Sequence, residues 1–248
     1  FRYYDKAIAE GITKSGQLSI RWIENRLNKY LNNILKTDDD YVIASDTDSV
    51  YLTLDKLVTK TIKSDNALSK TINFLDKVAS ESIEPYITKS YDELKQYTNA
   101  FANKMFMKRE VIADKGIWVA KKRYILNVWN SEGISYNESK LKIMGIEAVK
   151  SSTPAMCRAK IKDALELIMT SDEKELNQFI RTFREEFLNV NPELISFPRS
   201  VKGLSKYFDS GTTFKKSTPM HVKGALIYNH KVKQNKLINK YPLIQEGD

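Results

Sequence analysis

Tyr41-Val-Ile-Ala-Ser-Asp-Thr-Asp-Ser-Val-Tyr-Leu-Thr-Leu54 is the stretch on which the reading of this chain turns. Two runs rich in strand-forming residues, Tyr41–Ala44 and Val50–Leu54, flank the polar residues Asp46, Thr47, Asp48 and Ser49. Tyr and Val suit a pleated strand, whereas Asp and Ser favour turns, so the stretch predicts a β-hairpin with two carboxylates at its tip. Strand side chains alternate, which puts Asp46 and Asp48 on one face unless the tight turn breaks the alternation. Neighbouring carboxylates repel, and a cation compensates them. A divalent, oxygen-ligated ion suits that role, and Mg²⁺ is commonly held by one or two protein carboxylates with substrate phosphates completing its shell. An acidic turn without a ligand has the same four residues.

The chain has 248 residues, enough for one or two domains with a true core. Its 40 Lys and Arg outnumber 31 Asp and Glu, giving a formal charge of +9. That balance points to an anionic partner, nucleic acid first and a membrane surface second. Charged residues make up 29% of the chain, a globular value that excludes a disordered polycation. Cys157 is the single cysteine, so no internal disulfide can form and a reducing intracellular setting fits. No apolar run approaches the roughly 20 residues of a membrane span. The opening Phe1-Arg-Tyr-Tyr-Asp5 is not a signal peptide and lacks an initiator Met, as expected of a fragment or processed product.

Upstream of the hairpin, Ile20, Ile23, Leu27, Tyr30, Leu31 and Ile34 recur at helical spacing and predict an amphipathic helix over Gln17–Leu35. Lys56–Asp65 is polar, with Ser64 or Asp65 as a cap for a helix through Leu68, Ile72, Leu75, Val78 and Ile83. Pro85 interrupts that helix, and Tyr86–Tyr97 continues it as a third piece. Lys104–Ala113 reads as a strand, Asp114-Lys-Gly116 as a turn and Gly116–Trp129 as the antiparallel partner; Leu141–Val149 reads as a further strand. From Ser151 the pattern is helical. Thr153-Pro154 opens a helix with Met156, Ile161, Leu165 and Ile168, and Ser171 caps another through Leu176, Phe179, Phe183 and Phe187. Asn191–Ser217 is looser, and Thr218-Pro219 opens a last helix through Val222, Leu226 and Ile227.

Lys121-Lys-Arg-Tyr124 reads as part of a strand between Trp118 and Trp129, a cationic and aromatic combination that suits phosphate contacts. A solvated strand face has the same composition. Glu110, on the neighbouring strand, is a third carboxylate if it reaches the hairpin tip; otherwise it pairs with Arg109, Lys108 or the Lys121–Arg123 group. His221 and His230 lack the partners of a zinc site and read as surface residues, and Cys157 reads as a core residue of a helix. Asn137-Glu-Ser139 matches a glycosylation sequon with nothing to suggest secretion. Asp46-Thr-Asp48 lacks the glycine of a calcium loop, and no phosphate loop or dinucleotide fingerprint is present.

Four segments in order resemble the family B replicative DNA polymerases of T-even-like bacteriophages. Ser45-Asp-Thr-Asp-Ser49 resembles the family's Asp-Thr-Asp-Ser palm motif, and Met105–Ala113 the strand after it. Lys121–Trp129 resembles its Lys-Lys-Arg-Tyr motif, and Leu141–Glu147 with Ser151–Pro154 the junction of palm and thumb. The resemblance implies an α+β fold. An antiparallel-sheet partial palm with packed helices covers 1–150, and a mostly helical, incomplete thumb covers 151–248. It implies nucleotidyl transfer by a two-metal mechanism, with Asp48 as the principal Mg²⁺ ligand, Asp46 beside it and Glu110 as an auxiliary acid. Lys122, with Lys121, Arg123 and Tyr124, would hold the primer terminus. Lys142, Lys150, Lys215, Lys216, His221 and Lys223 would contact the backbone of the product duplex.

Ser45 replaces the family's usual glycine, and Lys108 stands where an acid is expected. The palm motif carrying the family's other metal aspartate, the fingers helix and the exonuclease domain have no counterpart here. The implied partners are primer–template DNA, a deoxynucleoside triphosphate and a second polypeptide or segment supplying the rest of palm and fingers, in the host cytoplasm, with no membrane. Alone, the chain is expected not to polymerise. Its rival readings are a DNA-binding module without catalysis and an assembly subunit derived from a polymerase.

Overall fold

The computed structural model describes residues 5–62, 68–209 and 213–248, so Ser64, Asp65, Gly211 and the first four residues lie outside it. The chain forms two compact units, Phe1–Met144 and Gly145–Asp248. The described residues form a mixed α+β structure with two small antiparallel sheets.

Helix α1, Lys6–Leu35, starts eleven residues before the expected Gln17. The Asp5 carboxylate caps it, accepting from Ala7 N at 2.8 Å and Ile8 N at 3.2 Å. Its early turns bury nothing, with Ile8 64% and Ile12 69% exposed, so they carry no apolar periodicity to read. The later turns bury Ile23, Leu27, Leu31 and Leu35, four residues apart on one face. Each such side chain contributes about 1.5–3 kcal/mol by leaving water.

That face carries the hairpin. Strands β1, Val42–Asp46, and β2, Ser49–Leu52, pair antiparallel, with Asp46 opposite Ser49. Val42 packs on Ile23 and Leu27, and Tyr41 on Leu31 and Leu35. Two amides of α1 fix the connector. Asn28 Oδ1 accepts from Tyr41 N at 2.8 Å and Val42 N at 3.0 Å; Asn32 Oδ1 accepts from Asp39 N at 2.8 Å. These bonds satisfy backbone donors that the two-stranded sheet leaves without partners.

After α2, Asp55–Thr61, come α3, Leu68–Val78, and α4, Glu84–Tyr97. Pro85 does not break the helical path. The chain widens into a π turn over Ala79–Ile83 and then runs on, with Pro85 in the first turn of α4, where a missing N–H costs little. Ile83, Ile87, Tyr91 and Leu94 complete the core against α1. Trp22 Nε1 donates to Ser90 O at 2.9 Å, and the Tyr30 and Tyr86 rings stack with centroids 4.1 Å apart.

The second sheet has the order β3-β4-β5, with β3 Val111–Ala120, β4 Arg123–Ser131 and β5 Ile134–Met144. It corrects three expectations. Residues 104–110 precede the strand rather than belong to it. Asp114-Lys-Gly116 is no turn, because β3 runs through it; Gly116 lies within the strand because the Trp118 ring folds over it, so that a Cβ there would come 2.8 Å from the ring. The reversal instead falls at Lys121-Lys122, outside any strand, where Lys122 adopts φ 60°. No glycine marks that turn. At the next reversal Glu132 (φ 49°) and Gly133 (φ 89°) both take left-handed backbone, as a two-residue hairpin loop demands.

In the second unit a short 3₁₀ turn, Glu147–Val149, occupies the end of the expected strand over Leu141–Val149. Helix α5, Ala155–Thr170, follows Pro154 and buries Leu165 and Met169, whereas Ile168 of the expected stripe is 41% exposed. Helix α6, Glu173–Leu188, is capped by Asp172, not Ser171, through a 2.9 Å bond from Glu175 N. Two short helices, α7 (Pro192–Ile195) and α8 (Leu204–Tyr207), punctuate the looser stretch. Helix α9, Met220–Gln234, starts after Pro219 and buries Val222, Ala225 and Leu226 against Val201. Among the described residues no helix is long and apolar enough to cross a membrane.

Candidate functional site

The β1–β2 loop consists of Thr47 and Asp48, with Thr47 in left-handed backbone at φ 47°. A β-branched residue pays for that conformation, by about 1–3 kcal/mol, and such strain gathers at working sites. Here it turns the Thr47 hydroxyl back onto Asp46, donating to Oδ1 at 3.1 Å, while Ser49 Oγ donates to Asp46 O at 3.1 Å. The tip thereby presents Asp46 half-buried and Asp48 exposed.

The tip opens onto a cleft of about 310 Å³. Asp46, Asp48, Glu110, Lys122, Tyr124 and Lys142 all line it, together with Tyr51. Five segments converge there: the β1–β2 hairpin, the lead-in to β3, the β3–β4 turn, the start of β4 and β5. Lys122 Nζ reaches Asp46 Oδ1 at 2.7 Å and Thr47 Oγ1 at 3.3 Å. Glu110 Oε1 accepts from Lys142 Nζ, a partner outside the Arg109, Lys108 and Lys121–Arg123 set that the sequence suggests. The Lys122 ammonium holds the Asp46 carboxyl below the usual carboxylate value, helped by the Thr47 hydroxyl and opposed by partial burial. A wider hollow of about 490 Å³ along Ser135–Lys140 is lined by one acid, Glu138.

Aromatic packing joins the two sheets at the back of the cleft. Tyr51 of β2 meets Trp118 of β3 and Tyr124 of β4 edge-on, with centroids 5.3 Å apart in each case. Burial, reinforced by the Tyr51 hydroxyl, pushes the Tyr124 phenol well above its ordinary value, so it stays protonated as a donor. Arg109, the residue before Glu110, is fixed by three bonds. Arg109 N donates to Glu84 Oε1 at 2.8 Å, Arg109 Nη1 donates to Asn130 Oδ1 at 2.7 Å, and Nη2 pairs with Asp76.

Of the remaining sequence candidates, Lys121 is exposed on the β3–β4 turn and Arg123 is half-buried at the start of β4; neither lines the cleft. The second unit carries Lys150, paired with Glu147 at 3.0 Å, and Lys215, whose Nζ donates to Lys206 O at 2.9 Å. Lys216 and His221 are exposed there, and Lys223 lies over the Phe214 ring at 5.1 Å. His230 is exposed, and Cys157 is partly buried on α5 rather than in the core. Sequence reasoning passed over Thr47, Tyr51 and the Asp76–Arg109–Asn130 group. Only Thr47 leaves a local sign, a β-branched residue in a two-residue hairpin loop.

The donors facing the cleft are oxygens, the set a hard cation takes. Among the described residues no three His, Cys, Asp or Glu stand close enough to cage an ion by themselves. Two of the three cleft carboxylates, Asp46 and Glu110, pair with lysines in this structure.

No family model matches the chain. Over 245 residues, 95% of the chain, it is 39% identical to the DNA-directed DNA polymerase of Escherichia phage RB69. Over 245 residues, 94% of the chain, it is 35% identical to the DNA-directed DNA polymerase of Enterobacteria phage T4. The chain is a relative of phage DNA-directed DNA polymerases. It spans 27% of the length of each of these phage polymerases. The similarity covers both compact units, the cleft included.

Proposed function

We propose that this chain is the palm and thumb portion of a phage-type DNA-directed DNA polymerase, with residues 1–150 as partial palm and 151–248 as incomplete thumb. The observation that carries the proposal is the convergence of Asp46, Asp48, Glu110, Lys122 and Lys142 on one cleft in a relative of the phage polymerases. Nucleotidyl transfer needs charge neutralised and reactants aligned more than it needs covalent help from the protein. Asp48, exposed at the hairpin tip, and Asp46 beside it would hold Mg²⁺, with Glu110 as an auxiliary acid. An ion held there would supply neutralisation of the triphosphate's charge during transfer. Tyr124 and Lys122 stand at the same cleft as donors for the primer terminus, with Lys121 on the turn and Arg123 at the start of β4 next to them in the chain. Lys150, Lys215, Lys216 and Lys223 would give the second unit cations for the duplex backbone, with His221 as a further hydrogen-bonding group. On this reading the remaining metal aspartate and the nucleotide-binding fingers would come from a further polypeptide or segment.

One observation favours a grip without catalysis: lysines already neutralise two of the three cleft acids. Primer extension separates the readings. The chain is combined with a polypeptide supplying the rest of the polymerase length and assayed with Mg²⁺. Extension that falls at least a hundredfold in Asp48→Ala, as expected on removing a charge-stabilising group, supports the polymerase reading. Extension untouched by Asp48→Ala, or duplex binding with no extension in any combination, refutes it.

A further inference from the structure

The cleft holds three carboxylates and two ammonium groups, arranged as two pairs with Asp48 left over. The pairs cross between segments. Lys122 comes from the β3–β4 turn to an acid on β1, and Lys142 comes from β5 to an acid ahead of β3. Asp46 Oδ1 already accepts from both Lys122 and Thr47. A divalent ion taking that carboxylate would stand within a few ångströms of the Lys122 ammonium, and the two repel strongly at that range. Ion and lysine therefore compete for the same carboxylate.

The lysine is free to yield. Its side chain is 60% exposed, it ends a flexible four-carbon stem, and exposed ion pairs are weak. In the second pair the acid can turn away, since Glu110 is 60% exposed while Lys142 is 27% exposed. A lysine displaced from its carboxylate at the cleft mouth is an unpaired cation, which a phosphate claims. Conversely, a phosphate that takes the lysine leaves a bare carboxylate for the ion.

We infer that Lys122 and Lys142 are exchange counter-ions, each alternating between a cleft carboxylate and a nucleic-acid phosphate, so that divalent cation and duplex DNA strengthen each other's binding. The inference rests on the cation and DNA reading of the cleft proposed above, and adds its regulation. Coupling of this kind is reciprocal: the factor by which duplex tightens cation binding equals the factor by which cation tightens duplex binding.

The test uses the full chain, Mn²⁺ as the probe ion followed by electron paramagnetic resonance, and a fluorescein-labelled primer–template followed by anisotropy. Mn²⁺ bound by the duplex alone is subtracted. The expected coupling is about tenfold in each direction, within the usual range for linked sites. Lys122→Gln should tighten Mn²⁺ binding severalfold without DNA and lose most of the coupling; Lys142→Gln should do the same to a smaller extent. Lys122→Arg, which keeps the charge and the hairpin, should retain the coupling. If Mn²⁺ and duplex both bind, Asp48→Ala weakens the ion, and the coupling factor is near one, exchange is refuted while the site reading stands. Coupling that persists in full in the Lys122→Gln, Lys142→Gln double variant refutes exchange equally. If Mn²⁺ binds no variant, or binds Asp48→Ala as well as the parent, the site reading falls and exchange falls with it.

Discussion

Replacing Arg109 with Met tests how the cleft acid next to it is held in place. The Arg109 side chain is 14% exposed and bridges Asp76 of α3 to Asn130 at the end of β4, while its own N–H is taken by Glu84 of α4. Methionine keeps most of the apolar stem but removes every side-chain donor. Asn130 is 2% exposed and loses the 2.7 Å bond from Arg109, keeping one from Gly133 N at 3.2 Å on the same oxygen. A buried acceptor that loses a charged donor costs about 1–3 kcal/mol. The Asp76 carboxylate is 43% exposed and recovers water, so its share is about 1 kcal/mol or less. The sum is about 1–4 kcal/mol, which lowers the melting temperature by roughly 2–16 °C for a unit of this size.

All three tryptophans, Trp22, Trp118 and Trp129, lie in the first unit, so tryptophan fluorescence during urea or thermal unfolding reads that unit alone. Asp76→Ala should cost about 1 kcal/mol, and the double variant should cost less than the sum, because the two residues share one network. A loss for Arg109→Met below about 0.5 kcal/mol, the range of an ordinary surface change, would refute the clamp. So would strict additivity with Asp76→Ala.

Other outcomes follow from single features. Gly116→Ala places a Cβ 2.8 Å from the Trp118 ring and 2.9 Å from Leu126, and overpacking of that kind should cost about 1–3 kcal/mol with a shifted tryptophan emission. Thr47→Asn, which tolerates left-handed backbone, should stabilise the first unit by about 1 kcal/mol; a loss of stability would show that the Thr47 hydroxyl outweighs the strain. The N–H groups of Gly203 and Leu204 hold the Glu246 carboxyl below its ordinary value. Its contribution is therefore present above the ordinary glutamate value and is lost as pH falls through the lower folded one. An NMR titration should show the Gly203 and Leu204 amides shifting with that low midpoint, and Glu246→Gln should remove the transition. A Glu246 midpoint at or above the ordinary glutamate value would refute the assignment.

Asp46, Asp48, Glu110 and the cationic run at residues 121–124 could be named from sequence because residue type and local spacing carry them. The same holds for the hairpin, since Tyr41–Ala44 and Val50–Leu54 satisfy strand and turn preferences without reference to anything distant. The amphipathic part of α1 was readable because burial imprints a period; Lys6–Gly16 was not, because exposed turns imprint none. The β3–β4 reversal was misplaced because Gly116 looks like a turn residue, while its actual role, room for the Trp118 ring, depends on side-chain packing.

The chain's order of residues thus determined which groups exist and the local shapes they prefer: an acidic hairpin tip, basic segments and helices with one apolar stripe. Tertiary structure alone decided the pairings, Lys122 with Asp46, Lys142 with Glu110 and Arg109 with Asp76 and Asn130. These partners are separated by 21 to 76 positions along the chain. Contacts over such separations depend on strand register and on which helix covers which face, and these follow from burying the whole core at once rather than from any short stretch.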